Sequence, residues 1–184
     1  MDLIRPGLEH IAGFEQALLH GWSPNHMRAT SGQEELERVR SDPQAYVEHL
    51  EDFDAKGPPI VLPDGNRMTG ISRVRRWMWD GEFCGLIGLR WRKGSVDLPP
   101  QILGHIGFAV VPWKRKRGYA SQALAQLLPL ARAVGLPYVE LSTDPDNVAS
   151  QRVIERNGGV FVERFVRDTS HGGTRAIRYR IDLG

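Results

Sequence analysis

The chain has 184 residues, 41% hydrophobic and 25% charged, enough apolar material for a globular core and too much for a disordered segment. Lys and Arg total 24 against 22 Asp and Glu, and a net charge of +2 is too small by itself to mark a nucleic-acid binder. One cysteine, Cys84, excludes an internal disulfide, no apolar run reaches the roughly 20 residues that cross a bilayer, and the first residues lack a signal-peptide pattern, so a cytoplasmic protein without membrane contact is expected.

Helical spacing opens the chain, with Leu8, Ile11, Phe14, Leu18 and Leu19 over residues 7–21. Ser31 to Arg40 reads as a second helix, with Ser31 and Glu34 as a capping box. Asp42-Pro43 starts a third, with Tyr46, Val47 and Leu50 on one face. Gly57-Pro58-Pro59 and Pro63-Asp64-Gly65 mark residues 54–66 as loop. Val74 to Trp79 and Glu82 to Trp91 flank Asp80-Gly81 and predict a hairpin. A second loop, Ser95 to Pro100, precedes an apolar strand from Leu103 to Val111. A helix from about Gly118 to Val134 follows, with Pro129 expected to kink it or end it early. Tyr138 to Ser142 is a buried strand, and Ser150 to Asn157 a short helix closed by Gly158-Gly159. Val160 to Arg167 and Arg175 to Ile181 alternate and close the chain as a hairpin through Ser170-His171-Gly172-Gly173. This order predicts an α/β sandwich with a mixed sheet.

The sharpest feature is Val110-Val111-Pro112-Trp113-Lys114-Arg115-Lys116-Arg117-Gly118-Tyr119-Ala120-Ser121, placed between a strand and a helix. A helix N-terminus presents unpaired N–H groups and a partial positive charge, and Gly118 lets backbone approach an anion closely. Charge alone favours a nucleic-acid patch, a localisation signal or a solvated turn, because basic runs of four are common. Neither a Walker A motif nor Gly-x-Gly-x-x-Gly is present.

Arg115-x-x-Gly118-x-Ala120 resembles the Arg/Gln-x-x-Gly-x-Gly/Ala signature of the GNAT superfamily of acetyl-CoA-dependent N-acetyltransferases. A second segment resembles that family's later one: Asn147-x-x-Ser150, then Ile154-Glu155-x-Asn157-Gly158-Gly159-Val160. The resemblance covers about residues 72–182, and Gly104-His105-Ile106-Gly107-Phe108 with Asn-Gly-Gly is similar to a subgroup of predicted bacterial acetyltransferases. It implies one acetyltransferase domain over 1–184, with 1–70 as a variable N-terminal helical part and 72–182 as the acetyl-CoA-binding core. It also implies a mixed, mostly antiparallel twisted sheet splayed between two central parallel strands, Leu103 to Val111 and Tyr138 to Ser142. In that arrangement the backbone of Phe108, Ala109 and Val110 would pair with the pantetheine arm of acetyl-CoA. Arg115 and the amides of Lys116, Arg117, Gly118, Tyr119, Ala120 and Ser121 would hold its pyrophosphate. Asn147, with Ser150, stands where the family contacts the pantetheine arm; Asp146-Asn147 is also good helix-cap chemistry.

The implied reaction is attack of an amine, from a small molecule or a peptide, on the thioester. His105, whose ordinary pKa of about 6.5 suits a base at neutral pH, is the candidate catalytic residue; Glu82 and Glu140 are weaker ones. Many members carry a tyrosine acid where this chain has Ile154. That departure keeps a catalytically inactive acetyl-CoA sensor or scaffold open as a second reading, beside a nucleic-acid-binding module as a third. Trp77 and Trp79 share a strand face and read as core, and Cys84 as a buried small hydrophobe. The histidines at 10, 20, 26, 49, 105 and 171 show no metal-ligand spacing, so no metal is expected. A monomer or homodimer without nucleic acid is expected.

Overall fold

Capping and turn residues fix where most elements begin and end. A computed structural model describes every residue except His26, Ala29 and Pro63, and leaves out the side chain of Ser170. Two sequence readings, His26 among the histidines and Pro63 in its turn, therefore lie outside the described residues.

Strand β1 (Asp2–Ile4) precedes a 3-10 turn (Leu8–His10) and α1 (Ile11–Leu19), which buries Ile11, Phe14, Ala17 and Leu18 on one face. Helix α2 (Ser31–Ser41) has its N-cap one residue before the expected one: Thr30 is the N-cap residue and Ser31 is already helical. Glu34 takes the Thr30 hydroxyl at 2.7 Å and pairs with Arg28, so the Ser31–Glu34 capping box does not form. Helix α3 (Pro43–Glu48) begins as expected, with the Asp42 carboxylate accepting from the Ala45 amide at 2.9 Å. Strand β2 (Glu51–Asp52) follows. The expected loop then holds two short strands, β3 (Ile60–Val61) and β4 (Arg67–Met68), paired with each other.

The hairpin of β5 (Ser72–Trp79) and β6 (Phe83–Trp91) turns at Asp80-Gly81, with Gly81 at φ +101°. Strand β7 (Ile106–Val110) is shorter than the expected Leu103–Val111: at His105 the carbonyl still accepts from the Arg90 amide of β6, while the N–H donates to the second sheet. Helix α4 (Tyr119–Ala133) runs on through Pro129. Pro129 and Ala125 both face solvent, where water satisfies the carbonyl that proline leaves without a donor. Strand β8 (Tyr138–Thr143), α5 (Val148–Arg156), β9 (Val160–Val166) and β10 (Arg175–Asp182) complete the chain. Gly158, at φ +84°, ends α5 as its C-cap signal demands.

The strands form two main sheets, β1-β5-β6-β7 with β2 also on β5, and β8-β10-β9; every ladder in them is antiparallel. Helices α4 and α5 cover one face, where Leu124, Leu127 and Ala131 bury against Ile87, Leu89, Ile106, Val139, Leu141 and Ile177. Helices α1 to α3 cover the other face of the first sheet through Phe14, Trp22, Tyr46, Trp77, Phe83 and Val111. Trp77 is fully buried and stacks on Phe14 at 4.7 Å, while the half-buried Trp79 meets His10 edge-on at 4.8 Å.

Strands β7 and β8 are neighbours without a ladder. They meet at one rung, where the His105 N–H donates to the Glu140 carbonyl at 2.7 Å. The residue before the rung must be glycine, since a Cβ on Gly104 would stand 2.7 Å from that carbonyl oxygen. Gly104→Ala should destabilise the protein by about 1–3 kcal/mol, the usual cost of overpacking. Urea denaturation checks this, with an unchanged midpoint as the contrary result.

Candidate active site

Backbone handedness shapes the turn before α4. Arg115 is extended, Lys116 takes φ +62° and Gly118 φ +79°, so the chain passes through two left-handed positions on its way into α4. A left-handed conformation costs a non-glycine residue about 1–2 kcal/mol, which Lys116 bears here. Helix α4 has no side-chain cap. Among the described residues nothing accepts from the backbone amides of Lys116 to Ser121, which leaves them for an anion.

The basic run divides by role. Lys114 is spent on structure: its ammonium contacts Asp80 at 2.9 Å and Glu82 at 3.0 Å, and Tyr119 donates to Asp80 at 2.7 Å. Partial burial works against the charge on Asp80, but the hydrogen bonds from Tyr119 and Lys114 outweigh it and hold the carboxyl well below its usual range. Hydrogen bonds to Asp80 and Glu82 in turn raise Lys114. Arg115 folds back, its Nε donating to the Val110 carbonyl at 3.3 Å. Lys116 and Arg117 face solvent. Asp80 is thus the anchor that motif reading missed; its only sequence signal was a place in the hairpin turn.

The cleft lies between β7 and β8 beyond the rung. Phe108, Ala109 and Val110 are half-buried, and β7 has a ladder on its β6 edge only. Asn147 caps α5 by accepting from the Ser150 amide at 3.1 Å. Asn157 donates to the Ser121 hydroxyl at 3.1 Å and the Val153 carbonyl at 2.8 Å, tying the end of α5 to the start of α4. The structure therefore brings the two sequence segments together at one end of the sheets.

His105 stands apart from that end. It is 2% exposed, its Nδ1 accepts from the Glu140 amide at 3.0 Å, and its Nε2 donates to the Val96 carbonyl at 2.9 Å. Both ring nitrogens are engaged, and burial lowers its pKa, so the expected general base has no free nitrogen to act through in this structure. The Glu140 carboxylate meets Arg180 at 2.8 Å and Arg178 at 3.6 Å, beside a cavity of about 490 Å³ that His105, Tyr138 and Phe165 help line. Glu82 is engaged with Lys114. Burial and the nearby Asp80 push the Cys84 thiol up to about 12, which makes it a core side chain and no nucleophile. Ile154 is 1% exposed and packs in the core. Among the described residues no group of three or more His, Cys, Asp or Glu is placed to hold a metal ion, and no helix is long and apolar enough to cross a membrane.

The model of the acetyltransferase (GNAT) domain family matches residues 18–160, and the chain belongs to that family. No curated protein matches it. Similar solved structures include a Salmonella typhimurium acetyltransferase that modifies the N-terminal serine of 50S ribosomal subunit protein L7/L12, with TM-score 0.61 and 16% identity over 99% of this chain and 94% of that one. The Vibrio cholerae spermidine N-acetyltransferase SpeG aligns with TM-score 0.59 and 12% identity over 100% and 95% of the two chains. MccE, the microcin C7 self-immunity acetyltransferase solved with acetyl-CoA and AMP, gives TM-score 0.57 and 12% identity over 98% and 91%. At these identities the likeness shows the fold. The chain is an N-acetyltransferase with acetyl-CoA as co-substrate.

The rung has a consequence for acid stability. The fold keeps His105 neutral, whereas the unfolded chain takes up the proton first as the pH falls. Its contribution is fully present above its ordinary pKa of about 6.5 and declines as the pH drops toward the lowered folded value. His105→Gln should cost about 1–2 kcal/mol near pH 7.5. It should also narrow the fall in Tm between about pH 7.5 and 5.5; equal falls in both proteins would remove His105 from the acid response.

Proposed function

We propose that the turn from Arg115 to Ser121 holds the pyrophosphate of acetyl-CoA and that the free edge of β7 guides its pantetheine arm into the cleft against β8. The observation that carries this reading is the pairing of two features at one end of the molecule: a run of unpartnered amides, and two neighbouring strands joined by one rung only. The residues present fit the ligand. A diphosphate needs convergent N–H donors and close backbone approach, which Gly118 and the uncapped start of α4 supply. A pantetheine arm carries amides, and an edge strand binds amides as it would bind another strand.

Within this reading Phe108, Ala109 and Val110 present the edge, and a β7 amide near Val110 supports the developing oxyanion. The amide nitrogen of Asn147 remains for the pantetheine arm, since only its carbonyl oxygen caps α5. Lys116 and Arg117 add long-range attraction for phosphate. A neutral primary amine attacks the thioester directly, and its proton leaves as the thiolate departs. His105 acts as a positioning residue that fixes the closed end of the cleft. The absence of any chain segment that could span a bilayer among the described helices, together with one unpaired thiol, supports a cytoplasmic enzyme. A nucleic-acid binder is disfavoured because Asp80 and Glu82 neutralise the first cation of the basic run.

Calorimetry with acetyl-CoA tests this. Arg115→Glu reverses a charge at the turn and should weaken binding roughly 10- to 100-fold, and Gly118→Val should weaken it as well by straining a left-handed position. Wild-type affinity in both variants would place the pyrophosphate elsewhere.

A further inference from the structure

The face of β5, β6 and β7 beneath α1 to α3 carries more positive charge than it can pair. Cross-strand register sets Arg73 opposite Arg90, and Arg75 opposite Gly88, which in turn faces Gly107. Arg75 is neutralised by the buried Glu35 at 3.2 Å and contacts the Tyr46 hydroxyl at 3.4 Å. Arg38 draws on the same carboxylate at 2.8 Å. Arg73 donates to the Pro58 carbonyl at 2.7 Å and lies across from Asp52.

Arg90 has nothing equivalent. Among the described residues no carboxylate or carbonyl takes a hydrogen bond from its half-buried guanidinium. Burial lowers it to about 10, and the positive charge of Arg75 adds to the effect. A half-buried guanidinium that no protein group holds is available to an anionic ligand. Its Nη2 lies 3.2 Å from where a Cβ on Gly107 would stand, so the paired glycines Gly88 and Gly107 leave bare backbone beside the charge. Gly107 directly precedes Phe108 on β7. Val110, near which the reacting carbonyl is proposed, lies three residues past Gly107, so the guanidinium stands roughly 10 Å along β7 from that point.

We propose that Arg90 is a specificity-determining residue that binds the carboxylate of a small aminocarboxylate acceptor, holding its amine toward the thioester. The inference rests on the cofactor placement given above. Guanidinium and carboxylate match as planar, two-point partners, and a carboxylate on Arg90, its own amine and the thioester carbonyl laid end to end span roughly 10 Å, the distance from Gly107 to Val110.

The test uses the full chain, acetyl-CoA, and matched pairs of L-amino acids and their carboxamides, with release of free CoA thiol as readout. The carboxamide amine is the less basic and more often neutral, so intrinsic reactivity favours the amide. Wild-type protein should nevertheless prefer acids by roughly 10- to 100-fold in kcat/KM. Arg90→Met should bring the ratio near one, and Arg90→Lys should keep part of it, retaining charge without the fork. Calorimetric affinity for acetyl-CoA should match wild type in both variants, which shows that they fold. Equal use of acid and amide by wild type, a preference that survives in Arg90→Met, or turnover of no acid overturns the proposal. Wild-type protein that fails to bind acetyl-CoA would overturn the cofactor reading and this inference with it, whereas intact binding without acid preference overturns the inference alone.

Discussion

The two half-sheets of this protein hang on one rung. The His105 N–H reaches the Glu140 carbonyl, and the His105 ring then accepts from the Glu140 N–H. A side chain thus stands in for the backbone acceptor that the next step of a ladder would have supplied. The ring is fixed from behind by the Val96 carbonyl, so the rung is a three-part junction of loop, β7 and β8. Satisfying both backbone groups of Glu140 on its β7 side removes any demand for the strands to pair further. Past this point no ladder joins them, and β7 keeps an edge on which Arg115 meets the Val110 carbonyl. An open edge inside a sheet is unfavourable unless water or a ligand takes its hydrogen bonds. The hydrogen bonds of that edge therefore fall to water or to a ligand.

The turn at the mouth of the cleft follows the same economy. Its first cation, Lys114, is bound to the β5–β6 turn through Asp80 and Glu82, and Tyr119 adds a neutral hydrogen bond to the same carboxylate. Exposed ion pairs of this kind contribute little stability, in the range of 0–1 kcal/mol. Their effect is positional. They hold the start of α4 against the hairpin without depending on the exposed arginines. Asn157 does the same from the other side by gripping Ser121. The turn is consequently backbone held from both sides by side-chain anchors.

Elements bounded by strong local punctuation were legible in the sequence: the Asp42-Pro43 start of α3, the Asp80-Gly81 hairpin and the Gly158 end of α5 depend on residues within a few positions. The Thr30 cap of α2 was misplaced by one residue, because Thr30 and Ser31 have similar hydroxyls and only the Glu34 contact separates them. The turn before α4 was legible because Gly118 marks it locally. The role of His105 was not. Alternation assigns the ring a face, but its partners lie 9 and 35 residues away, and only the tertiary structure shows that both nitrogens are occupied. Arg90 was silent for the opposite reason: what distinguishes it from Arg73 and Arg75 is a missing partner, and absence leaves no sequence pattern.

Ile154 completes the chemical argument. It replaces the tyrosine that many relatives carry, and it is fully committed to packing, with Gly159 so close that a Cβ there would stand 2.3 Å from Ile154 Cγ2. The helix end and the following turn are folded around this side chain, so the position serves the core in this protein. The proton balance of the reaction tolerates that. Attack by an amine creates an acidic ammonium centre at the reacting carbon, and the proton it must lose equals the one a departing thiolate can accept. A thiol of ordinary pKa, about 8.5, is also a competent leaving group near neutral pH without full protonation. What the protein must then supply is a neutral amine held at the correct angle, because geometry replaces the missing acid. A site that gains its rate from orientation needs a second point of attachment on the acceptor, away from the reacting nitrogen. The unpaired guanidinium beside Gly107 is placed to be that point.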